Sequence, residues 1–187
     1  MEIRILEEDD AARYWAVRLR ALREEPEAFG SSYAEVVDRP LAAVAERLRP
    51  RLEPPQALTL GAFVAAHESA TRDSLLTGIV TCTREERHKV AHKATITGMY
   101  VAPEARGQGI GRALLHAALA RARGWDGVEQ VMLSVVSTNA AALGLYTALG
   151  FEPFGHETHA LKLDGRYLDE DYLVHWLRRH DDTPRHE

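Results

Sequence analysis

The stretch Arg106-Gly107-Gln108-Gly109-Ile110-Gly111 alternates glycine with other residues, between a strand-like apolar run and a run rich in alanine and leucine. The first N–H groups of a helix have no partner within the helix, and the helix dipole places positive potential at that end. Glycine keeps side chains away from a phosphate on such a turn, and Arg106 and Arg112 add positive charge at its two ends. The stretch therefore predicts an anion site, with a glycine-rich turn that binds nothing as the alternative.

Counting the glycines tests the two common nucleotide loops. A dinucleotide fingerprint G-x-G-x-x-G that begins at Gly107 requires a glycine where Arg112 stands, and one that begins at Gly109 requires it at Leu114. A P-loop requires Gly-Lys followed by Ser or Thr, and the stretch contains no Gly-Lys and no Ser or Thr after it. Both nucleotide loops are disfavoured, and the carrier of the anion stays open at this point.

Composition limits the class of protein. A chain of 187 residues predicts one domain with a real core, and 45% apolar with 27% charged residues is typical of a globular protein. The net charge of −5 and the sequence pI of about 6.0 argue against a general nucleic-acid binder. A single cysteine, Cys82, excludes an internal disulfide and is expected to be a small buried residue.

The N-terminal residues MEIRILEEDD lack the basic start and apolar centre of a signal peptide. No apolar stretch approaches the roughly 20 residues that a membrane helix needs. We therefore expect a cytoplasmic protein without a membrane partner.

The first half of the chain predicts a strand, two helices and a meander. A strand over 2–6 precedes a helix that Asp9 or Asp10 can cap, and a second helix begins near Asp38 and Pro40. The arginine-rich face of the first helix is interpreted as a solvated face. Strand-like runs follow at 57–67, 74–83 and 93–103, joined by the connections 68–73 and 84–92. Gly98 within the third run indicates a bulge or a close backbone approach.

The second half predicts alternating helices and strands. A helix after the glycine stretch ends at Gly124, a buried strand covers 129–137, and a helix over 139–150 stops at Gly150. Asp164-Gly165 predicts the turn of a final hairpin. A helix that joins the strands at 93–103 and 129–137 makes them parallel. We expect an α/β domain over residues 1–177, with a mixed, mainly antiparallel sheet flanked by helices, and a polar flexible tail over 178–187.

These motifs together resemble the GNAT superfamily of N-acetyltransferases. The central motif of that family is Gln/Arg-x-x-Gly-x-Gly/Ala after a strand and at the start of a helix, which Arg106 to Gly111 match. The preceding GMYVAPEARG and the later STNAAALGLYTALGFEPFG, with Asn139 and Tyr146, are also typical of the family. The resemblance is specific over about residues 90–165, and it implies the GNAT acyl-CoA N-acyltransferase fold.

The resemblance implies acetyl-CoA as the cosubstrate and no metal. The backbone of Arg106, Gly107, Gln108, Gly109, Ile110, Gly111 and Arg112 would hold the pyrophosphate. The strand around Met99, Tyr100 and Val101 would pair with the pantetheine arm, which enters a gap beside residues 131–136. Asn139 would hydrogen-bond the arm or cap its own helix. Tyr146 would stand beside the sulfur as the catalytic acid, or fill the core of its helix.

The chemistry requires a neutral amine that attacks the thioester carbonyl. A free alkyl amine titrates near ~10, so a base or a water chain must remove its proton. A backbone N–H near Met99 is a suitable donor to the carbonyl oxygen. Many relatives place a Glu on the strand before the loop, but residues 95–100 contain no carboxylate. We expect a water-mediated route with Thr97, Tyr100 or Ser134, since His92, Glu85 and Glu86 lie further back.

Three functions stay open at this stage. A small-molecule amine is the favoured acceptor, with a protein lysine or N-terminus, or a non-catalytic acetyl-CoA sensor, as alternatives. Phe29 and Tyr33 either line the acceptor pocket or belong to the core. His88 and His92 have i, i+4 spacing, but they lie in a predicted hairpin connection, so no metal is expected. A homodimer through the C-terminal strands is a further expectation, whereas no nucleic-acid partner is expected.

Overall fold

The computed structural model describes residues 1–65 and 74–177, in which seven strands form one sheet with helices on both faces. The strands are β1 (Glu2–Ile5), β2 (Ala57–Ala65), β3 (Ser74–Arg84), β4 (Lys93–Val101), β5 (Gln130–Val136), β6 (Glu152–Leu163) and β7 (Arg166–Trp176). The α-helices are α1 (Ala11–Glu24), α2 (Tyr33–Val36), α3 (Leu41–Leu48), α4 (Ile110–Arg123) and α5 (Ala140–Ala148). The predicted connection 68–73 and the predicted tail 178–187 lie outside the described residues.

The strand order is β1-β2-β3-β4-β5-β7-β6. Only β4 and β5 pair in parallel among the described strands, as the helical connection between them predicts, and the other neighbours are antiparallel. The predicted mixed, mainly antiparallel sheet flanked by helices is therefore confirmed. None of the helices within 1–65 and 74–177 has the length and apolar character to cross a bilayer.

The parallel pair separates soon after it forms. Residues 93–95 of β4 pair with residues 130–132 of β5, and no pairing is formed beyond Thr95. On its other side β4 carries one extra residue against β3, because Thr97 faces Thr81 whereas Tyr100 faces Ile79. This bulge contains Gly98, whose φ is +63°. The predicted bulge and the gap beside β5 are both present.

The bulge changes the face of the sheet towards which the side chains of β4 point after Gly98. Ile96 packs into the cluster shared with α4 and α5, whereas Tyr100 packs into the cluster beneath α1 and α3. Because alternate residues of a regular strand point to opposite faces, these two even-numbered residues would share a face without the extra residue. The bulge therefore puts Thr97 to Met99 at the place where the two strands diverge.

The helix starts differ in part from the predictions. Asp10 precedes α1 without capping it, because its carboxylate accepts two hydrogen bonds of 2.6 Å from Arg4 and one of 3.0 Å from the Glu7 N–H. Helix α2 was not predicted. Its signal is a capping box, in which Ser32 and Glu35 each accept from the other's backbone N–H. Helix α3 begins directly after Pro40, as expected.

Three further local predictions are confirmed. Gly124 ends α4, and Asp164 and Gly165 join β6 to β7 with φ values of +48° and +80°. Positive φ at both residues is the geometry of a type I′ hairpin turn. Cys82 is fully buried, and burial raises the pKa of its thiol to about 12, so the thiol stays protonated at neutral pH.

Candidate active site

A cleft of about 530 Å³ opens where β4 and β5 diverge, and we call it the strand cleft. Its walls are the end of β4, the glycine stretch, the first turns of α4, and α5. The predicted cofactor-binding residues that line it are Met99, Tyr100, Val101, Arg106, Gly107, Gly109, Ile110, Gly111, Arg112, Asn139 and Tyr146. Gln108 does not line the strand cleft; its side-chain amide turns back and donates to the Glu104 carbonyl at 3.3 Å.

The three glycines of the stretch have two different structural roles. Gly107 and Gly109 have φ of +75° and +78°, which other residues rarely adopt, and a Cβ at either would meet no atom within 4 Å. A Cβ at Gly111 would lie 3.1 Å from Leu145 and 3.3 Å from Met99. Glycine is thus required by backbone conformation at 107 and 109, and by helix packing at 111. The space for a phosphate is therefore not the only reason for glycine at these positions.

The start of α4 presents free N–H groups to the strand cleft. The first helical hydrogen bond runs from the Ala113 N–H to the Gly109 carbonyl at 3.0 Å, so Ile110, Gly111 and Arg112 have no acceptor within the helix. The helix dipole adds positive potential at the same place. The backbone geometry of the predicted anion site is therefore present.

Arg106 differs from the prediction. Its Nε donates to the Val101 carbonyl at 3.0 Å, and its Nη2 pairs with Glu25 at 2.8 Å. The guanidinium thus braces the end of β4 against the segment after α1, rather than pointing freely at an anion. Arg112 also lines the strand cleft, and no acidic partner for it is found among residues 1–65 and 74–177.

Helix α5 contributes one polar group from each end. The Asn139 side-chain oxygen accepts from the Ala142 N–H at 3.1 Å, so Asn139 caps α5 while it lines the strand cleft. Tyr146 is only 7% exposed and packs edge-on against Phe151 with ring centroids 5.8 Å apart. Burial raises the pKa of its phenol to about 12. Each of these two side chains therefore makes a structural contact and also lines the strand cleft.

A second cavity of about 1030 Å³ lies on the α1 side of the sheet, and we call it the α1 cavity. It shares Phe29, Thr97, Gly98 and Ser134 with the strand cleft, so the two spaces meet at the bulge of β4. Phe29 lines both spaces and also packs against the core cluster beneath α1 and α3. Tyr33 does not line either space, because Arg23 stacks 4.2 Å above its ring and donates to its hydroxyl.

Arg18 is the main departure from the predicted solvated face of α1. It lines the α1 cavity, its guanidinium lies 4.4 Å from the Phe29 ring centroid, and its buried Nη1 makes no hydrogen bond. Burial lowers the pKa of Arg18, Tyr14 opposes this effect, and the charges of Arg39 and Arg47 lower the pKa further. A signal was present in the sequence, because Arg18 follows Tyr14 by four residues and Trp15 by three, which places all three on one helix face.

The structure limits which of the expected side chains can accept or relay the proton of the amine. Thr97 and Ser134 line both spaces. The Tyr100 hydroxyl is engaged instead, because it donates to Glu24 at 2.6 Å; burial and this carboxylate raise the pKa of Tyr100. Glu85 accepts from Thr95 at 2.9 Å and lines neither space, in agreement with its expected remoteness.

Glu170 is a carboxylate at the site to which no sequence motif points. It lies on β7, lines the α1 cavity, and has no ion-pair partner within the described part of the chain. Val136 is its partner on β5, and Ser134 stands two residues before Val136 on the same sheet face. Diagonal neighbours of this kind have Cβ atoms within about 8 Å. One water can therefore connect the Glu170 carboxylate to the Ser134 region.

Comparison with known proteins places these features among acetyltransferases. The sequence model of the Acetyltransferase (GNAT) family matches residues 20–151. An acetyltransferase of the GNAT family from Streptococcus pneumoniae has the same fold, with a TM-score of 0.78 at 21% identity over 94% of this chain and 98% of that one. The Salmonella typhimurium protein yncA, solved with its cofactor acetyl-CoA, gives a TM-score of 0.76 at 23% identity over 96% and 95%.

Closer sequence similarity is found to two enzymes with named substrates. Phosphinothricin N-acetyltransferase of Alcaligenes faecalis is 34% identical over 115 residues, which are 61% of this chain and 58% of that enzyme. The L-methionine sulfoximine/L-methionine sulfone acetyltransferase of Pseudomonas aeruginosa is 37% identical over 75 residues, which are 40% and 43%. The chain thus spans about half the length of these relatives.

Proposed function

The chain belongs to the GNAT family of acetyltransferases, and from this premise we propose that it transfers the acetyl group of acetyl-CoA to a primary amine of a small molecule. The observation that carries the proposal is the junction of the strand cleft with the α1 cavity at Gly98. Each space can hold one of two reactants, and only the bulge of β4 separates them. Direct attack within a ternary complex follows from this arrangement.

Acetyl-CoA fits the strand cleft. The free N–H groups of Ile110, Gly111 and Arg112, with the Arg112 side chain, suit the pyrophosphate. The gap between β4 and β5 suits an extended arm, because the edge of β4 is unpaired there after Thr95. The relative yncA was solved with acetyl-CoA, which supports the same assignment. The Met99 N–H at the bulge is our candidate donor to the thioester oxygen.

Tyr146 is our candidate for the group beside the departing sulfur. Its raised pKa of about 12 keeps the phenol protonated and able to donate a hydrogen bond. An alkyl thiolate has an ordinary pKa near ~8.5, so complete proton transfer from this phenol would be uphill. We therefore assign to Tyr146 a hydrogen bond that stabilises the thiolate as the carbon–sulfur bond breaks, rather than full donation of its proton.

We assign removal of the amine proton to Glu170, through a water held by Thr97 and Ser134. Both hydroxyls lie where the two spaces meet, and Glu170 lies on the side of the α1 cavity. The other carboxylate that lines the α1 cavity, Glu46, is bound by Arg49 at 3.5 Å. This assignment keeps the water-mediated route expected from the sequence and supplies its terminal acceptor.

A small acceptor is favoured over a protein. The segment after α1 carries Phe29 over the junction, and its Glu27 pairs with Arg166 of the final hairpin at 2.6 Å. This exposed ion pair brings the segment into contact with the final hairpin. A cavity of about 1030 Å³ is at the upper end of the range for small-molecule sites. The named substrates of the two relatives are also small molecules.

The test combines turnover with binding. The protein is incubated with acetyl-CoA and a panel of primary amines that includes phosphinothricin, L-methionine sulfone, polyamines and lysine peptides. Free thiol release and mass spectrometry of the N-acetyl product report transfer, and calorimetry reports acetyl-CoA binding. Acetylation of a small amine supports the proposal. Acetylation of peptides alone would indicate a protein acetyltransferase, and tight binding without any transfer would indicate the sensor.

A further inference from the structure

Arg18 lies in the wall of the α1 cavity with unused hydrogen-bonding capacity. A guanidinium carries five N–H donors, yet Arg18 makes no hydrogen bond with the described residues, and its Nη1 is buried. Its guanidinium stacks on the face of Phe29, 4.4 Å from the ring centroid. A buried donor without an acceptor is costly, and a buried charge without a counter-charge more so. The position therefore favours an anion from outside the chain.

The surroundings of Arg18 reinforce this preference. Arg39 and Arg47 also line the α1 cavity, and both lower the pKa of Arg18 through their charge. No carboxylate of residues 1–65 or 74–177 pairs with any of these three arginines. By contrast, Arg49 in the same wall is neutralised by Glu8 at 2.5 Å. The excess positive charge of the cavity is thus concentrated at Arg18, Arg39 and Arg47.

The position of Arg18 relative to the bulge limits the length of the ligand. A Cβ built on Gly98 would lie 3.9 Å from Arg18 Nη1, so the guanidinium reaches the residue at which the two spaces meet. The amine must come to the same place to attack an acetyl group held in the strand cleft. An anion on Arg18 and an amine at the bulge are therefore separated by only a few bonds. Glu170 lines the same cavity and suits the amine end.

We propose that the acceptor is an amine with an anionic group close to its nitrogen, of the α-amino acid type, and that Arg18 binds this anion. The inference rests on the acetyl transfer proposed above, because that reaction fixes where the amine must lie. Arg39 and Arg47 add long-range attraction and room for further negative charge. Arg18 is thereby a specificity-determining residue rather than part of the structural framework.

The first experiment compares amines that differ only in the anion. L-leucine, L-glutamate and L-methionine sulfone are tested against their decarboxylated amines, with 6-aminohexanoate as an amine whose carboxylate is distant. We expect kcat/KM to favour the best amino acid over its decarboxylated partner by about 10- to 100-fold, the range for a hydrogen bond to a charged group. Arg18→Met should abolish that preference, Arg18→Lys should keep part of it, and Arg13→Met, on the exposed face of α1, should keep all of it.

A second measurement separates this inference from the proposed reaction. The three amino acids and N-acetyl-L-leucine are titrated by calorimetry into wild-type and Arg18→Met protein in the presence of CoA. Binding that requires Arg18 supports the inference even where no amine is acetylated. Acetylation of neutral amines without preference for a carboxylate overturns the inference and leaves the transferase proposal intact. Absence of binding for every probe also overturns it.

The melting temperature of the Arg18 variants distinguishes a role in ligand binding from a role in packing. Removal of a partly buried, unpaired charge relieves a penalty, so Arg18→Met should melt at the same temperature as wild type or higher. A clear fall in melting temperature, with the substrate preference unchanged in Arg18→Lys and Arg18→Met alike, would mean that Arg18 serves packing against Phe29.

Discussion

Asn139 and Tyr146 lie seven residues apart at the two ends of α5, and both side chains line the strand cleft. Seven residues are close to two helical turns, so the two side chains share one face of the helix. Asn139 also caps the helix through Ala142, which fixes the first turn. The helix therefore holds an amide and a phenol along the same wall of the strand cleft. The Asn139 amide lies at the N-terminal end of α5, and the Tyr146 phenol lies near its C-terminal end.

Tyr146→Phe should lower kcat by about 10- to 100-fold, while the Kd for acetyl-CoA changes less than about threefold. The ring keeps its packing against Phe151, but the hydrogen bond to the sulfur is lost only in the step that breaks the thioester. Steady-state kinetics and calorimetry measure the two effects. Tyr167→Phe, on the exposed hairpin, is the matched control. Equal losses of kcat and binding in Tyr146→Phe would assign this tyrosine to packing.

Two substitutions separate the roles of Asn139. Asn139→Asp keeps an oxygen that accepts from Ala142 but removes the amide donor, whereas Asn139→Ala removes both. Loss of a helix cap costs about 1 kcal/mol, so only the alanine variant should unfold at lower urea. If the amide also holds the pantetheine arm, both variants should bind acetyl-CoA more weakly. Unchanged binding by Asn139→Asp would leave Asn139 as a cap alone.

Gly109→Ala should weaken acetyl-CoA binding by about tenfold and destabilise the fold by about 1–2 kcal/mol. The cause is conformational, since residue 109 has φ of +78° and no neighbour would touch the new methyl group. A strained loop reorients the N–H groups that begin α4. Gly124→Ala is the control at the other end of α4, where φ is −79° and alanine is tolerated. Calorimetry and urea unfolding report the two quantities.

The sheet and the hairpin were predictable because their signals are local, whereas the gap that forms the strand cleft was implied by the family resemblance. The turn at Asp164 needs only its own dipeptide, and Gly98 interrupts a strand pattern within a few residues. Arg18 was misassigned for the opposite reason. Arginines occur on several faces of α1. Tyr14 and Trp15 mark the face of Arg18 in the sequence, but the docking of that helix over Gly98 is what places the guanidinium in the α1 cavity.

Arg106 and Glu170 illustrate the same limit at longer range. The motif predicted Arg106 as an anion contact, but Glu25, 81 positions earlier, engages its guanidinium. Glu170 enters the site only because β7 inserts between β5 and β6 in the sheet. Both depend on partners distant in sequence, which neither spacing nor composition specifies.

Asp10→Asn should destabilise the protein by about 1–2 kcal/mol at neutral pH. Asp10 is only 6% exposed and accepts two hydrogen bonds of 2.6 Å from Arg4, and these bonds hold the pKa of its carboxyl below the ordinary value. A lowered native pKa stabilises the fold above the unfolded value near ~3.9, and this stabilisation is lost progressively as pH falls from that value through the lowered native pKa. The difference in unfolding free energy between wild type and Asp10→Asn should thus be constant over about pH 5–8 and should decrease as the pH falls below about 4.

The control for Asp10 is Glu8→Gln on the same turn. Glu8 pairs with Arg49 at 2.5 Å, but both side chains are about half exposed. Exposed pairs contribute little because water screens them, so this variant should lose clearly less stability than Asp10→Asn. Urea unfolding at several pH values measures both variants. An equal loss in both would mean that the burial of Asp10 does not matter.

Glu170→Gln should lower kcat by about 100-fold or more at neutral pH, because it removes the terminal acceptor for the amine proton. The defect should shrink as pH rises, since the neutral fraction of an amine that titrates near ~10 increases tenfold per pH unit below that value. The matched control is Glu46→Gln, which neutralises the carboxylate that Arg49 binds in the same cavity. A pH–rate profile of kcat for the three proteins decides the assignment. If Glu170→Gln follows the wild-type profile while Thr97→Ala or Ser134→Ala does not, water held by the hydroxyls carries the proton directly to solvent.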